Sequence, residues 1–315
     1  MKKAVAFCIP CYNEEANIVP MTEQLIKIME DAFPQYDYNI QFIDNCSTDD
    51  TRKKIREQCN QYPQVRAIFN AKNFPMTSGY HGILSAQGDC VISIPADFQV
   101  PLEKIPEMIA AWEDGSKIVC LQKESTKSGK KMWYVRQVYY KLAESFSEGK
   151  VLKNFTGSGL YDKSFLDVCR ATNTTVPNFM QMIQTYGFHI TSVFYQEQKR
   201  RTGKSKNNFF TLLDIALNRF TSTSSMAPKL AVYTGFFLSL ISALIGLIYL
   251  ILKLIFWDRF VAGMAPVLVG VFFMGALQLF FIGLIGQYIM RIDKRSMDAP
   301  LVVEEERINF RKENE

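Results

Sequence analysis

Along its first hundred residues the chain alternates short apolar runs with longer stretches of helical spacing. "AVAFCIP" (4–10), "YNIQFID" (38–44), "VRAIFN" (65–70) and "DCVISIP" (89–95) have the length and apolar content of buried strands. Between them, "NEEANIVPMTEQLIKIMEDAF" sets Ile18, Met21, Leu25, Ile28 and Met29 on one helical face. "STDDTRKKIREQCNQ" starts a second helix, with Ser47 or Thr48 as its cap, and "SGYHGILSAQG" reads as a short third one. Strand and helix alternating at this spacing predict an α/β domain with a mostly parallel, doubly wound sheet. Ligands of such sheets gather at the carboxyl ends of the strands. The polar clusters stand there: "CYNEE" after the first strand, "DNCSTDD" after the second and "ADFQ" after the fourth. No G-x-G-x-x-G follows the first strand and no Walker A sequence occurs, which counts against dinucleotide and P-loop sites.

The pattern changes after residue 230. Leu230 to Trp257 carries no charge until Lys253, and Ala265 to Met290 carries none. About 20 apolar residues cross a bilayer core as a helix, so each stretch predicts a span. Arg219 and Lys229 precede the pair, and Arg291, Lys294 and Arg295 follow it. The excess of positive charge on both outer flanks places them, the N-terminal domain and both termini on the cytosolic side. "NNFFTLLDIALNRFTS" has an apolar stripe through Phe209, Leu212, Leu213, Ala216, Leu217 and Phe220. It reads as a helix lying in the membrane interface, with core packing as the other reading. The expected segments are a soluble domain over 1–206, an interfacial helix and linker over 207–229, spans at 230–257 and 265–290, and a tail over 291–315. The tail, charged from Ser296 on, reads as a solvated helix or a disordered segment.

Composition narrows the class. The chain has 315 residues, 48% of them apolar, and a net charge of +5. That mild basicity suits anionic lipid or phosphate ligands. No zinc-finger spacing or aromatic RNA-binding motif accompanies it, so nucleic acid is not an expected partner. All seven cysteines lie before residue 170 without regular spacing, which suits a reducing compartment. Cys8 and Cys11 form a C-x-x-C that no second pair or nearby histidine completes, so a buried strand cysteine is the simpler reading. His81 and His189 are isolated and read as structural. The start, "MKKAVAFCIPCYNEE", is too briefly apolar to read as a signal peptide.

Five segments in order, followed by two spans, resemble the family-2 glycosyltransferases of GT-A fold. More narrowly they resemble the membrane-bound polyprenyl-phosphate glycosyltransferases, among them bactoprenol glucosyltransferases and dolichol-phosphate mannose synthases. "IPCYNEEANI" resembles the opening P-x-Y-N-E-E-x-N, and "FIDNCSTDDT" the D-D-G-S-T-D-x-T. "NAKNF…GILSAQGD" resembles the N-x-G…A-x-G-D region, "IPADFQVPLEKIPEM" the D-A-D-L-Q-D-P-P-E, and "RRTGKSK" the R-x-x-G-x-S-K ahead of the spans. The resemblance implies transfer of one sugar, with inversion, from a nucleotide sugar to a polyprenyl phosphate at the cytoplasmic membrane of a bacterial-type cell. UDP-glucose or UDP-N-acetylglucosamine is the expected donor and undecaprenyl phosphate the expected acceptor, in a multi-pass homo-oligomer. A GDP-mannose donor is the alternative. A processive polysaccharide synthase fits less well, because no Q-x-x-R-W occurs. A catalytically silent membrane adaptor is the reading from another class, motivated by Asn45, Cys46, Pro95 and Val100, which depart from the family pattern.

The same resemblance assigns Pro10, Tyr12, Glu14, Asp44 and Asn73 to the nucleotide sugar, with Asp44 accepting from the uracil N3–H. Glu14 and Glu15 also suit the first turn of a helix as dipole-favoured charges. Pro95 stands where the family has an acid, leaving Asp97 and the Gln99 amide. Mg²⁺ or Mn²⁺ often takes only one or two protein oxygens and fills its shell with phosphate and water. Asp97 and Gln99 therefore predict a modified metal site, with Asp97 also counted as catalytic. Asp162, followed by Lys163, resembles an acid near the acceptor and is the second catalytic candidate; capping of the helix that follows is its other reading. Arg200, Lys204 and Ser205 are assigned to phosphates, since Arg grips phosphate oxygens bidentately and Lys as a point charge. Attraction to lipid headgroups is the other reading of this basic cluster.

Overall fold

The computed structural model describes residues 2–75, 77–124, 152, 154–172, 179–196 and 300–310, with isolated helical positions between 237 and 292. The chain divides into two compact units, the first of which rejoins the chain at its C-terminal end. That unit holds eight strands: β1 (Ala4–Cys11), β2 (Asp37–Asp44), β3 (Val65–Asn70), β4 (Cys90–Ser93), β5 (Ile118–Lys123), β6 (Phe155–Asp162), β7 (Ile190–Tyr195) and β8 (Glu304–Ile308). They form one sheet in the order β7-β5-β6-β4-β1-β2-β3-β8. β3, β2, β1 and β4 are parallel, as are β5 and β7, while β6 and β8 run against their neighbours. The sheet is thus mixed, GT-A-like α/β: the expected parallel arrangement holds for β3, β2, β1 and β4, and antiparallel β6 and β8 depart from it.

β1 is central, and its alternation serves two cores. Val5, Phe7 and Ile9 face one side and Ala6 and Cys8 the other, all fully buried. The first face is covered by α1 (Ile18–Ala32), α2 (Thr51–Gln61) and α4 (Ile105–Glu113). The second is covered by α3 (Ser78–Ser85), α5 (Lys163–Ala171) and α6 (Phe179–Thr185). α1 buries Ile18, Met21, Leu25 and Met29, the stripe that its spacing predicts, with Ile28 at the margin. Each such fully buried side chain contributes about 1.5–3 kcal/mol. Pro20 falls in the first turn of α1, where its missing N–H costs nothing.

Two expectations are corrected. α2 starts at Thr51, not at a Ser47 or Thr48 cap. Both residues are committed elsewhere: Ser47 Oγ accepts the Asn13 amide at 2.9 Å, and Thr48 donates its amide to Asn13 Oδ1 at 2.9 Å. The tail is the second. "EEERI" is strand β8, laid antiparallel on β3 from Ala67↔Ile308 to Asn70↔Glu304. Its acids do not stand free in water: Glu304 pairs with His81, Glu305 with Arg52 and Glu306 with Arg56. Leu301 and Phe310 pack on the second core at either end.

In the second unit, the described helical residues Phe237, Ile241, Leu244, Ile248, Ile251, Leu254 and Ile255 are apolar and exposed. Among the described residues no helix is long and apolar enough to cross a membrane. Most of the two predicted spans, and all of 207–229, lie outside the described residues.

Candidate active site

β1 ends between two loops. On one side the Cys11 carbonyl accepts the Asn45 amide at 3.0 Å; on the other the Pro10 carbonyl accepts the Ala96 amide at 3.4 Å. Asp44, closing β2, and Asp97, following β4, therefore flank the same strand end. The sheet spacing sets the two loops about 10 Å apart.

The wall on the β2 side is two loops laced together. Besides the Asn13 contacts, Glu14 donates its amide to Thr51 Oγ1 at 2.8 Å, and Glu15 accepts the Asp50 amide at 3.0 Å. Glu14 itself accepts from Asn17 Nδ2 at 2.6 Å. Asn13 and Cys46 both take the left-handed backbone conformation, at φ 57° and 63°, which turns each loop sharply off its strand. Tyr12 and Cys46 are left half-buried along the wall, and Asn73 is exposed beside it. Asn45, which replaces the family's acid, acts as a clamp: it donates to Asn73 Oδ1 at 2.8 Å and accepts from Asn70 Nδ2 and the Phe74 amide.

Asp44 sits deeper than its expected role requires. Its side chain has no exposure; its oxygens hold the Ser47 amide at 3.2–3.3 Å and Arg52 Nε at 2.7 Å. A carboxylate has about four acceptor positions, and these contacts occupy three of them. Cys8 and Cys11 are buried thiols. Burial pushes Cys8 up to about 12, and burial followed by the Asp44 and Glu14 carboxylates pushes Cys11 well above the ordinary thiol value.

On the other wall, Asp97 is 5% exposed and accepts the Gln99 amide on Oδ1 at 3.1 Å, closing a tight side-chain turn. The residue between them, Phe98, is buried at φ 57°. A bulky side chain held in that conformation is strained, and such strain gathers at functional sites. Among the described residues no group of three or more His, Cys, Asp or Glu could hold an ion alone. One carboxylate with one amide oxygen still fits a hard divalent ion that arrives with phosphate oxygens of its own.

Asp162 stands apart from this pair, where its alternative reading as a helix cap applies. It ends β6, which runs against β4, so its partner there is Cys90, the first residue of β4. It therefore stands at the opposite end of the sheet from Asp97. There it is the N-cap of α5, accepting the Ser164 amide at 2.9 Å and the Trp112 indole N–H at 2.7 Å. Burial pushes its carboxyl upward, but the Ser164 hydroxyl, the Trp112 indole, the Ser164 amide and Lys117 together outweigh that and hold it below the usual aspartate value. A lowered folded-state value means that its stabilisation is present above pH ~4 and fades as pH falls through the folded value. Asp162→Ala removes a cap and strands a buried indole N–H, a loss of about 1–3 kcal/mol. Thermal melts should show that loss, while turnover per folded molecule stays close to that of the unchanged protein.

The residue at the mouth that pattern reading missed lies earlier in β6. Gly159 pairs with Ser93, the last residue of β4, and the ladder to β5 slips just beyond it. The resulting bulge, Thr156–Ser158, contains Gly157 at φ 98° and borders the Asp97 side. Two glycines inside one strand, in "TGSG", were the signal. Arg200, Lys204 and Ser205 lie outside the described residues.

Residues 6–169 match the glycosyl transferase family 2 model. A bactoprenol glucosyl transferase of Shigella phage SfV is 29% identical over 94% of this chain and 96% of its own length. A prophage-derived bactoprenol glucosyl transferase of Shigella flexneri is 30% identical over 91% of this chain and 93% of its own. An uncharacterized glycosyltransferase of Synechocystis sp. is 28% identical over 94% and 93%. With a matching family domain that runs from β1 into α5, and relatives that align along nearly the whole chain, the protein belongs to glycosyl transferase family 2 and is a glycosyltransferase.

Proposed function

We propose that the protein transfers one sugar, glucose or N-acetylglucosamine, from its UDP donor to a polyprenyl phosphate such as undecaprenyl phosphate, with inversion. The observation that carries this is the pair of aspartates flanking the end of β1, in a chain that aligns end to end with bactoprenol glucosyl transferases. In this reading Pro10, Tyr12, Glu14, Asp44 and Asn73 shape the nucleotide pocket. Asp44 does so from below, by fixing the Ser47 turn and Arg52. Asp97 and the Gln99 amide oxygen would hold Mg²⁺ or Mn²⁺, which neutralises charge on the diphosphate when bound.

The acceptor phosphate is anionic near pH 7 and attacks the anomeric carbon without a strong base. The protein's share is then alignment of the two reactants and a preorganised charge environment for the departing nucleotide. Arg200, Lys204 and Ser205 are proposed phosphate contacts. The exposed apolar residues described between Phe237 and Ile255 support seating in a bilayer, as does the lipid substrate named for the relatives. A multi-pass anchor at 230–257 and 265–290, a cytosolic catalytic domain and a homo-oligomer belong to the same reading.

The test is a product assay in lipid, using labelled UDP-glucose, UDP-N-acetylglucosamine and GDP-mannose with undecaprenyl phosphate, with and without EDTA. A labelled lipid from a UDP donor, lost in EDTA, is expected. Product from GDP-mannose alone, sugar in long polymer, or no product would overturn the reading.

A further inference from the structure

We infer that Glu305, on the C-terminal strand, is a positioning residue of the nucleotide pocket and acts through Arg52 on Asp44. The inference rests on the donor-pocket reading above and adds to it a part of the chain some 250 residues away.

The geometry is a three-member relay. Each of the three guanidinium nitrogens of Arg52 has a fixed partner: Nε on Asp44 at 2.7 Å, one terminal nitrogen on Glu305 at 2.9 Å, and the other on the Asn70 carbonyl at 2.7 Å. The cation also lies 5.5 Å from the centre of the Phe69 ring. Asp44 is fully buried, Arg52 is mostly buried, and Glu305 is half-exposed at the outer end. Arg52 thus links the buried acid at the end of β2 to the last strand of the sheet. Without Glu305, Arg52 keeps only the Asp44 carboxylate as counter-charge, and its outer end is freer to turn toward water and shift that carboxylate.

β8 is held in place independently of this contact. Ala71 donates its amide to Val303 at 2.9 Å, Thr77 donates its hydroxyl to Leu301 at 2.9 Å, and Arg56 pairs with Glu306 at 2.6 Å while lying 4.4 Å from the Phe69 ring. Glu305 and Glu306 are therefore neighbours on one strand with separable tasks. Glu306 bonds Arg56 and fastens the strand; Glu305 bonds the arginine that grips Asp44.

Glu305→Gln, Glu306→Gln and Arg52→Gln, made in the full-length protein, separate these tasks. UDP and GDP binding is measured by calorimetry, and kcat and KM for donor and acceptor by product assay. Glu305→Gln should raise the UDP Kd and the donor KM about three- to tenfold, with kcat and the acceptor KM unchanged. Arg52→Gln should raise them further, and Glu306→Gln should leave them as they are. Equal behaviour of the Glu305 and Glu306 variants, whether both silent or both impaired, overturns the relay while leaving the donor reading intact. Failure of the unchanged protein to bind either nucleotide overturns the donor reading and the relay with it. Binding of GDP in place of UDP changes the base, and the Glu305-against-Glu306 comparison made with GDP then supports or overturns the relay by the same criterion.

Discussion

Asp97→Asn should lower turnover by about 10²–10³-fold, the scale for removing one preorganised electrostatic contact, with little change in stability. The substitution suits the geometry. Asp97 Oδ1 accepts the Gln99 amide, and an asparagine oxygen can accept the same bond, so the tight turn and the buried Phe98 beside it survive. What disappears is one negative charge, at the only acid that "SIPADFQ" keeps once Pro95 has taken the other position. A divalent ion holding a diphosphate through a single carboxylate and an amide has little redundancy. Calorimetry should therefore show UDP binding to the variant losing its dependence on Mg²⁺, alongside the fall in turnover. If Asp97→Asn retained more than a tenth of normal turnover and still needed the metal, the ion would have to be held elsewhere.

What could be read along the chain was whatever is local. β1 to β4 lie within a residue or two of their apolar runs, because strands buried on both faces are uninterrupted in sequence. α1 shows its buried stripe because burial of one face alone leaves a 3.6-residue period in sequence. The misreadings arise where a partner from far along the chain decides. Ser47 and Thr48 have the chemistry of helix caps, but Asn13, more than 30 residues earlier, engages both. Asp162 has the right neighbours for a catalytic acid, yet its place depends on the direction of β6, which nothing in "GSGLYDKSF" specifies. "EEERI" has poor strand propensity, and it becomes a strand because β3 offers an open edge and Arg52, Arg56 and His81 answer its charges. Arg52 carried no signal at all. It sits in the first turn of a charged amphipathic helix, where an exposed basic residue is unremarked, and its role exists only once β2 and β8 are brought together beside it.

Gly159→Ala should be the most damaging single methyl in the fold. Glycine here serves close approach of two backbones: a Cβ on Gly159 would fall 2.2 Å from the Val119 carbonyl oxygen and 3.2 Å from its carbon. That oxygen belongs to β5, and Gly159 is held from the other side by Ser93 of β4, so neither strand can retreat without opening a ladder. Overpacking usually costs about 1–3 kcal/mol, and a clash against paired backbone belongs at or above the top of that range. For a domain of this size a loss of about 3 kcal/mol lowers the melting temperature by roughly 6–12 °C. Gly79→Ala is the matched control, since a Cβ there meets nothing within 4 Å and alanine suits the helix α3 better than glycine. Because Gly159 pairs with the residue that launches the Asp97 loop, the Gly159 variant should also lose donor affinity in whatever fraction remains folded. A melting temperature for Gly159→Ala within 2 °C of the unchanged protein, measured beside Gly79→Ala, would mean that β5 and β6 are less tightly joined at the mouth of the site than this geometry requires.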